Sequence, residues 1–150
     1  MTDANAELDV KVDMLIRRPP ETVYEAFSVP ENIRRFWLAS SSGPLETGAV
    51  VHWQFKIAGA ETDVTVTEAR PGTLLDLLWD DGQPLRITFT PYEGDTIVGV
   101  EVTGFSHAPT AIESMSGFTL VLSSLKLWLE HGIEGELMYD KFPGMRYADR

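Results

Sequence analysis

Hydrophobic and polar residues alternate with a period of two in six separate stretches of the chain. In residues 8–16 every second side chain is apolar, as in a strand with one buried face. Similar stretches follow between Gly48 and Thr103, separated by AGAE, RPG, DDGQP and YEGD, which are typical of turns. The pattern predicts an antiparallel meander with one apolar face. Its five later strands are expected near residues 51–57, 63–67, 75–79, 85–90 and 98–103.

Two short helices are expected after the first strand. Pro20 suits a first helical turn, and Glu21 beside it is favoured by the helix dipole. Pro30 would end this helix and begin a second one, PENIRRFW. The segment SSSG, Ser40 to Gly43, is expected to be a polar loop before the next strand.

One long helix is predicted near the C-terminal end, over GFTLVLSSLKLWLEHG, residues 117–132. Its apolar residues follow helical spacing and form one wide stripe. They are Phe118, Val121, Leu122, Leu125, Trp128 and Leu129. Gly132 is a plausible C-cap. The preceding SHAPTAIESMS is expected to be a loop or a frayed helix, and residues 133–150 a loosely packed tail or short helix.

The apolar face of the sheet and the apolar stripe of the helix should bury each other. The expected fold is therefore α+β: a helix-grip fold, with a curved antiparallel sheet of about six strands around the long C-terminal helix. At 150 residues, one domain is the default. We assign it to residues 1–132, with residues 133–150 as a C-terminal tail or short arm.

Three stretches resemble a known family. IRRPPETVYEAFSVPENIRRFW carries the pairs Pro19-Pro20, Val23-Tyr24, Pro30-Glu31 and Phe36-Trp37, and EARPGTLLDLLW has a Pro-containing turn before a strand. The last helix carries Gly117-Phe118, Leu122, Leu125, Leu129, Glu130 and Gly132 at the family's spacing. Over about residues 10–132 the chain is similar to the activator of heat-shock protein 90 ATPase homologue-like proteins, within the START-like (SRPBCC) superfamily. The resemblance implies the helix-grip fold. Phe118 stands where the family usually has Trp, and the tail is longer than the common pattern.

Charge and composition exclude several function classes. The formal net charge of -11 disfavours nucleic acid and anionic membrane surfaces. The absence of cysteine excludes thiolate metal sites and a cysteine nucleophile. The 117–132 segment is too short, and too polar at Ser123, Ser124 and Lys126, to span a membrane. The N-terminal MTDANAELDV does not have the pattern of a signal peptide, so we expect a cytoplasmic protein.

Candidate catalytic and metal-binding residues are scattered. His52, His107 and His131 lack metal-ligand spacing and are predicted to be surface or capping residues. Asp76 falls on the polar face of its strand, and Glu113 falls in the segment before the long helix. Arg34 and Arg35 could meet an anionic ligand at a cavity mouth, although an exposed helix face often carries such residues without a specific partner. We therefore expect no metal, no cofactor and no catalytic site.

The inward-facing apolar residues have two interpretations. They would either fill a core or wall a cavity for a small molecule, because a sheet bent around a helix tends to leave space between them. The candidate ligand-binding residues are Trp37, Trp53, Phe55, Val64, Val66, Leu77, Trp79, Ile87, Phe89, Val100, Phe118, Val121, Leu122 and Leu125. The superfamily resemblance favours a cavity.

Three functions remain open at this point. The first is a non-enzymatic domain that binds a small hydrophobic or amphipathic molecule, such as a lipid, and a cavity lined only by carbon would favour it. The second is an enzyme similar to polyketide cyclases and aromatases, favoured by two or more buried polar groups facing a void. The third is a chaperone-associated interaction module, favoured by a large exposed apolar patch. Leu120 and Leu127 lie outside the main stripe and could mark a homodimer contact.

Overall fold

The computed structural model describes residues 7–145, which form seven strands and four α-helices. The strands are β1 Leu8–Ile16, β2 Leu38–Ser41, β3 Val50–Phe55, β4 Glu61–Arg70, β5 Leu74–Leu78, β6 Pro84–Tyr92 and β7 Asp95–Phe105. The helices are α1 Pro20–Ser28, α2 Pro30–Ile33, α3 Ala108–His131 and α4 Leu137–Asp140, followed by a 3-10 turn, Pro143–Met145.

All seven strands form one curved antiparallel sheet in the order β1-β7-β6-β5-β4-β3-β2. Strands β3 to β7 are the predicted meander, and β1 pairs with β7 because the chain returns to its starting edge. The helix-grip prediction is confirmed. The sheet has one strand more than the six expected.

The additional strand, β2, corrects the loop prediction for Ser40 and Ser41, whereas Ser42 and Gly43 lie outside the strand as predicted. Ser40 and Ser41 pair with Gln54 and Trp53 of β3, and Ser40 Oγ donates a hydrogen bond of 3.0 Å to Gln54 Oε1. Leu38 anchors the strand in the core, with none of its surface exposed. Four residues with one buried apolar side chain give too little alternation to be recognised as a strand.

The two helices after β1 begin at their prolines, as predicted. Helix α1 ends at Ser28, one residue before Val29, whose backbone N–H still bonds to Glu25. Helix α2 is shorter than the predicted PENIRRFW and stops at Ile33. Phe36 and Trp37, which follow it, are buried in the core.

Helix α3 is longer than predicted, since the expected loop or frayed segment before residue 117 is helical from Ala108. Glu113 therefore lies on a helix, where it is exposed. The helix ends as predicted: Gly132 has a φ of 68°, and its N–H bonds to Trp128 O at 2.8 Å. A positive φ costs glycine little. Among residues 7–145, no helix has the length and apolarity needed to cross a bilayer.

The C-terminal half of α3 is fixed against β1 by a small polar network. Lys126 Nζ donates to Leu15 O at 2.9 Å and contacts Glu130 Oε2 at 2.6 Å. Glu130 also accepts a hydrogen bond of 2.9 Å from the Arg17 backbone N–H. Its side chain is 8% exposed. Burial by itself raises the pKa of Glu130, but the hydrogen bonds from Lys126 and Arg17 outweigh it and lower that pKa.

Candidate ligand cavity

Four aromatic rings meet beside the middle of α3. Trp37 lies edge-on to Trp53, with ring centroids 5.0 Å apart, and edge-on to Phe118 at 5.5 Å. Trp53 contacts Trp79 in the same manner at 5.7 Å. Edge-to-face packing is a favoured arrangement of aromatic pairs. Trp37, Trp79 and Phe118 form an aromatic wall beside the helix, and Trp53 packs behind it.

A cavity of about 220 Å³ lies against this aromatic wall. It is lined by Trp37, Phe55, Trp79, Ser114, Gly117, Phe118, Val121 and Met138, and almost all of the exposed lining is carbon. None of these residues is charged. This volume lies below the roughly 300–1,000 Å³ that is typical of ligand pockets, so the space would hold only a small molecule.

Five of the fourteen predicted ligand-binding residues line the cavity. They are Trp37, Phe55, Trp79, Phe118 and Val121. The other nine are packed in the hydrophobic core, each at most 2% exposed. They are Trp53, Val64, Val66, Leu77, Ile87, Phe89, Val100, Leu122 and Leu125. The inward face therefore fills a core over most of its area and borders the cavity over the rest, and ligand binding there remains a prediction.

Three lining residues were not among those predicted from the sequence. Ser114 and Gly117 lie on α3; Ser114 is three residues before Gly117, and Gly117 is four before Val121, so all three share one helical face. That helical spacing could have identified the two residues from the sequence, because Gly117 leaves a gap in a stripe of otherwise bulky side chains. Met138 belongs to α4, where no sequence period identifies an inward face.

Residues 133–145 fold back over the mouth of the cavity, so the predicted tail contains the short helix α4. The Ile133 N–H donates to Leu127 O at 3.4 Å, and Glu134 pairs with Arg35 at 3.3 Å. Lys56 Nζ lies 5.1 Å from the centroid of the Tyr139 ring. Burial of Lys56 lowers its pKa, and nearby Glu134 partly opposes that change. We refer to residues 133–145 as the C-terminal arm.

Histidines and acids lie away from the cavity. His52 is on the outer face of β3, where a hydrogen bond to Asp63 at 2.8 Å raises the pKa of the imidazole. Asp76 holds Arg86 through two hydrogen bonds of 2.7 and 2.9 Å on the outer face. Within residues 7–145, no three His, Cys, Asp or Glu side chains are grouped to hold a metal ion.

A larger crevice of about 540 Å³ lies at the surface between the β5–β6 turn and the start of α3. Its lining mixes polar and apolar groups in nearly equal amounts and includes the ionisable residues Glu7, Asp81 and His107. Small-molecule sites bury most of their ligand against apolar walls. The aromatic cavity is therefore the better candidate site despite its smaller volume.

A curved antiparallel sheet around a long C-terminal helix defines the START-like (SRPBCC) class of proteins. Within it, the family model of Activator of Hsp90 ATPase homolog 1-like proteins matches residues 17–130, so the chain belongs to this family. The resemblance drawn from sequence motifs is confirmed. No curated protein sequence matches the chain.

Solved structures agree with this assignment. Protein SSP2350 from Staphylococcus saprophyticus is 30% identical, with a TM-score of 0.78 over 84% of this chain and 94% of its own. DynU16, from the dynemicin biosynthetic locus, is 22% identical, with a TM-score of 0.79 over 88% of this chain and 50% of its own. The Aha1 dimer from Colwellia psychrerythraea is 20% identical, with a TM-score of 0.76 over 83% of this chain and 98% of its own. The last two show the shared fold.

Proposed function

We propose that this protein binds a small, mostly apolar molecule in the cavity between α3, the aromatic wall and the C-terminal arm. The observation that carries the proposal is the almost purely carbon lining of a concave space that opens to the surface beside the hydrophobic core. A concave apolar surface with few polar groups favours an apolar occupant. A lipid headgroup or a phosphate finds no cationic partner in this wall.

The lining disfavours the cyclase-like alternative. Such chemistry needs polar groups that steer or protonate a reactive chain, and Ser114 is the sole polar side chain among the described residues of the wall. A role as a chaperone-associated module has less support, because the apolar surface described above belongs to a cavity and not to a flat exposed patch. The cytoplasmic location remains a prediction.

A substitution at Gly117 tests the proposal. A Cβ added at Gly117 meets no atom within 4 Å, so we expect the side chain of Gly117→Leu to extend into the cavity, and the change also removes a helix-weakening glycine. We expect isopropenylbenzene, a small apolar probe, to bind the wild-type protein and shift its tryptophan indole signals in ¹H–¹⁵N spectra. Gly117→Leu should lose this binding while remaining folded.

Gly117→Ala is the matched control, because it adds one carbon at the same position. It should keep most of the binding and stabilise the helix by about 0.4–1 kcal/mol. Wild-type affinity in Gly117→Leu would show that the probe occupies another place and would refute this site.

We also propose a homodimer; the Aha1 protein from Colwellia psychrerythraea, which shares the fold, is a dimer. Leu127, suggested above as part of a homodimer contact, is a poor candidate because Gly135 of the arm lies against it. Ile112 and Met115 on α3 are 66% and 44% exposed and are better candidates. Light scattering after size exclusion measures the mass, and a monomer at high concentration would contradict the dimer.

A further inference from the structure

Trp53 lies directly behind the cavity wall. It is fully buried on β3, and its ring packs against Trp37 and Trp79, which both line the cavity. Its indole Nε1 is buried and has no hydrogen-bond partner among residues 7–145. It is the one buried side-chain nitrogen or oxygen of the described residues in this condition.

An unpaired buried N–H is costly, since desolvation without a partner destabilises a protein by roughly 1–3 kcal/mol. Such a group in a folded protein needs an explanation, and a partner from outside the chain is one. A buried water would itself need two to four polar partners, and the exposed lining of the neighbouring wall is almost all carbon. A ligand atom is the better partner.

The indole N–H is a donor and never an acceptor, so its partner must be an acceptor. The wall carries no charged residue, and an anion in it would lose its hydration without compensation. The acceptor is therefore uncharged, such as a carbonyl or ether oxygen. Edge-on aromatic neighbours favour a flat, ring-containing frame around it.

Resting on the proposed function, we infer that Trp53 determines ligand specificity: the occupant is a small aromatic molecule with one uncharged oxygen, which accepts a hydrogen bond from Trp53 Nε1. Trp53 itself does not line the cavity, so the contact requires the ring of Trp79, which follows β5 and is only partly buried, to move aside. The cavity thus selects by a single polar contact placed behind an apolar wall.

Two probes of nearly the same shape test this inference. Acetophenone has a carbonyl oxygen where isopropenylbenzene has a CH₂ group. We compare the ratio of their dissociation constants in the wild-type protein and in Trp53→Phe, which keeps an aromatic ring but loses the donor. The preference for acetophenone should fall about fivefold in Trp53→Phe, as expected for one neutral hydrogen bond. The ratio cancels the different hydration of the two probes.

Trp79→Phe is the matched control, because it makes the same change in a ring of the wall. It should alter both affinities and leave their ratio unchanged. An independent measurement uses the wild-type protein, whose four tryptophans give four indole signals in ¹H–¹⁵N spectra. Acetophenone should move the Trp53 indole proton downfield, whereas isopropenylbenzene should not. This measurement needs no variant that might fail to fold.

The outcomes separate the two proposals. Binding of both probes with an unchanged ratio and an unmoved Trp53 signal would overturn the role of Trp53 and leave the ligand-binding function intact. Binding of neither probe would overturn both.

Discussion

The two halves of α3 have different surroundings. From Phe118 to Leu125 five residues are buried, and Lys126 and Glu130 tie the end of the helix to β1. Between Ala108 and Gly117 only Ala111 is buried, and Ile112 and Met115 are exposed. Met138, from the arm, shares the cavity with Ser114 and Gly117 of this half. One continuous helix thus combines a tightly packed half with a half that leaves space.

This difference shows how a small domain can keep a cavity and remain stable. A void costs free energy because its lining atoms lose contacts. The packed half supplies apolar burial and polar anchoring at one end of the helix, and the cavity lies beside the first half and extends to Phe118 and Val121. Stability and ligand binding should therefore respond to mutations in different halves.

The largest expected effect is in the packed half. Leu122→Ala removes a fully buried side chain and should reduce the free energy of unfolding by about 2–5 kcal/mol. The matched control is Ile112→Ala on the first half, expected to change it by no more than roughly 0.5 kcal/mol. Urea unfolding measures both. Equal losses would show that the two halves do not differ.

The next effect concerns the polar anchor and depends on pH. Glu130→Gln should cost roughly 1–3 kcal/mol at neutral pH, because it weakens the contacts with Lys126 and Arg17. A lowered carboxylate pKa stabilises the fold above the ordinary value of 4.5, and this contribution is lost as the pH falls through the lowered pKa. The difference between wild type and variant should therefore shrink in acid.

Urea unfolding at a series of pH values measures this difference. Glu113→Gln, on the exposed surface of the first half, serves as its control and should show no such trend. If the loss of unfolding free energy in Glu130→Gln did not depend on pH, the charge of Glu130 would contribute nothing to stability.

The smallest expected effect on stability comes from the arm. Truncation after Gly132 removes exposed contacts such as Arg35–Glu134 and Lys56–Tyr139, each worth about 0–1 kcal/mol. The fold should persist with a slightly lower melting temperature, while isopropenylbenzene binding weakens because Met138 is lost from the wall. A collapse of the fold would show that the arm is part of the domain and that its boundary at residue 132 is wrong.

Most of the fold was predictable because alternation and helical spacing are strong in long elements. The failures have local causes. Strand β2 is too short to alternate, and the start of α3 is rich in Pro, Ser and Thr, which favour loops in isolation. Its helical form depends on Ala111 packing into the core, a contact that no local pattern reveals.

The candidate site was less predictable. Period-two parity shows which face Trp53 and Phe55 occupy, and both do point inward. It cannot show whether the space before an inward side chain is filled, because that depends on the separation of the sheet and helix. Trp53 therefore belongs to the core layer and Phe55 to the wall. Met138 was beyond prediction since its position depends on how the arm folds back.

The arm also has a bearing on engineering. The family match ends at residue 130, whereas Met138, which closes the cavity, comes later in the chain. The shared sheet and helix are thus separable from one side of the binding space. Grafting a different segment after Gly132 would reshape that side without redesigning the core, which makes the arm a natural place to graft new binding preferences onto this scaffold.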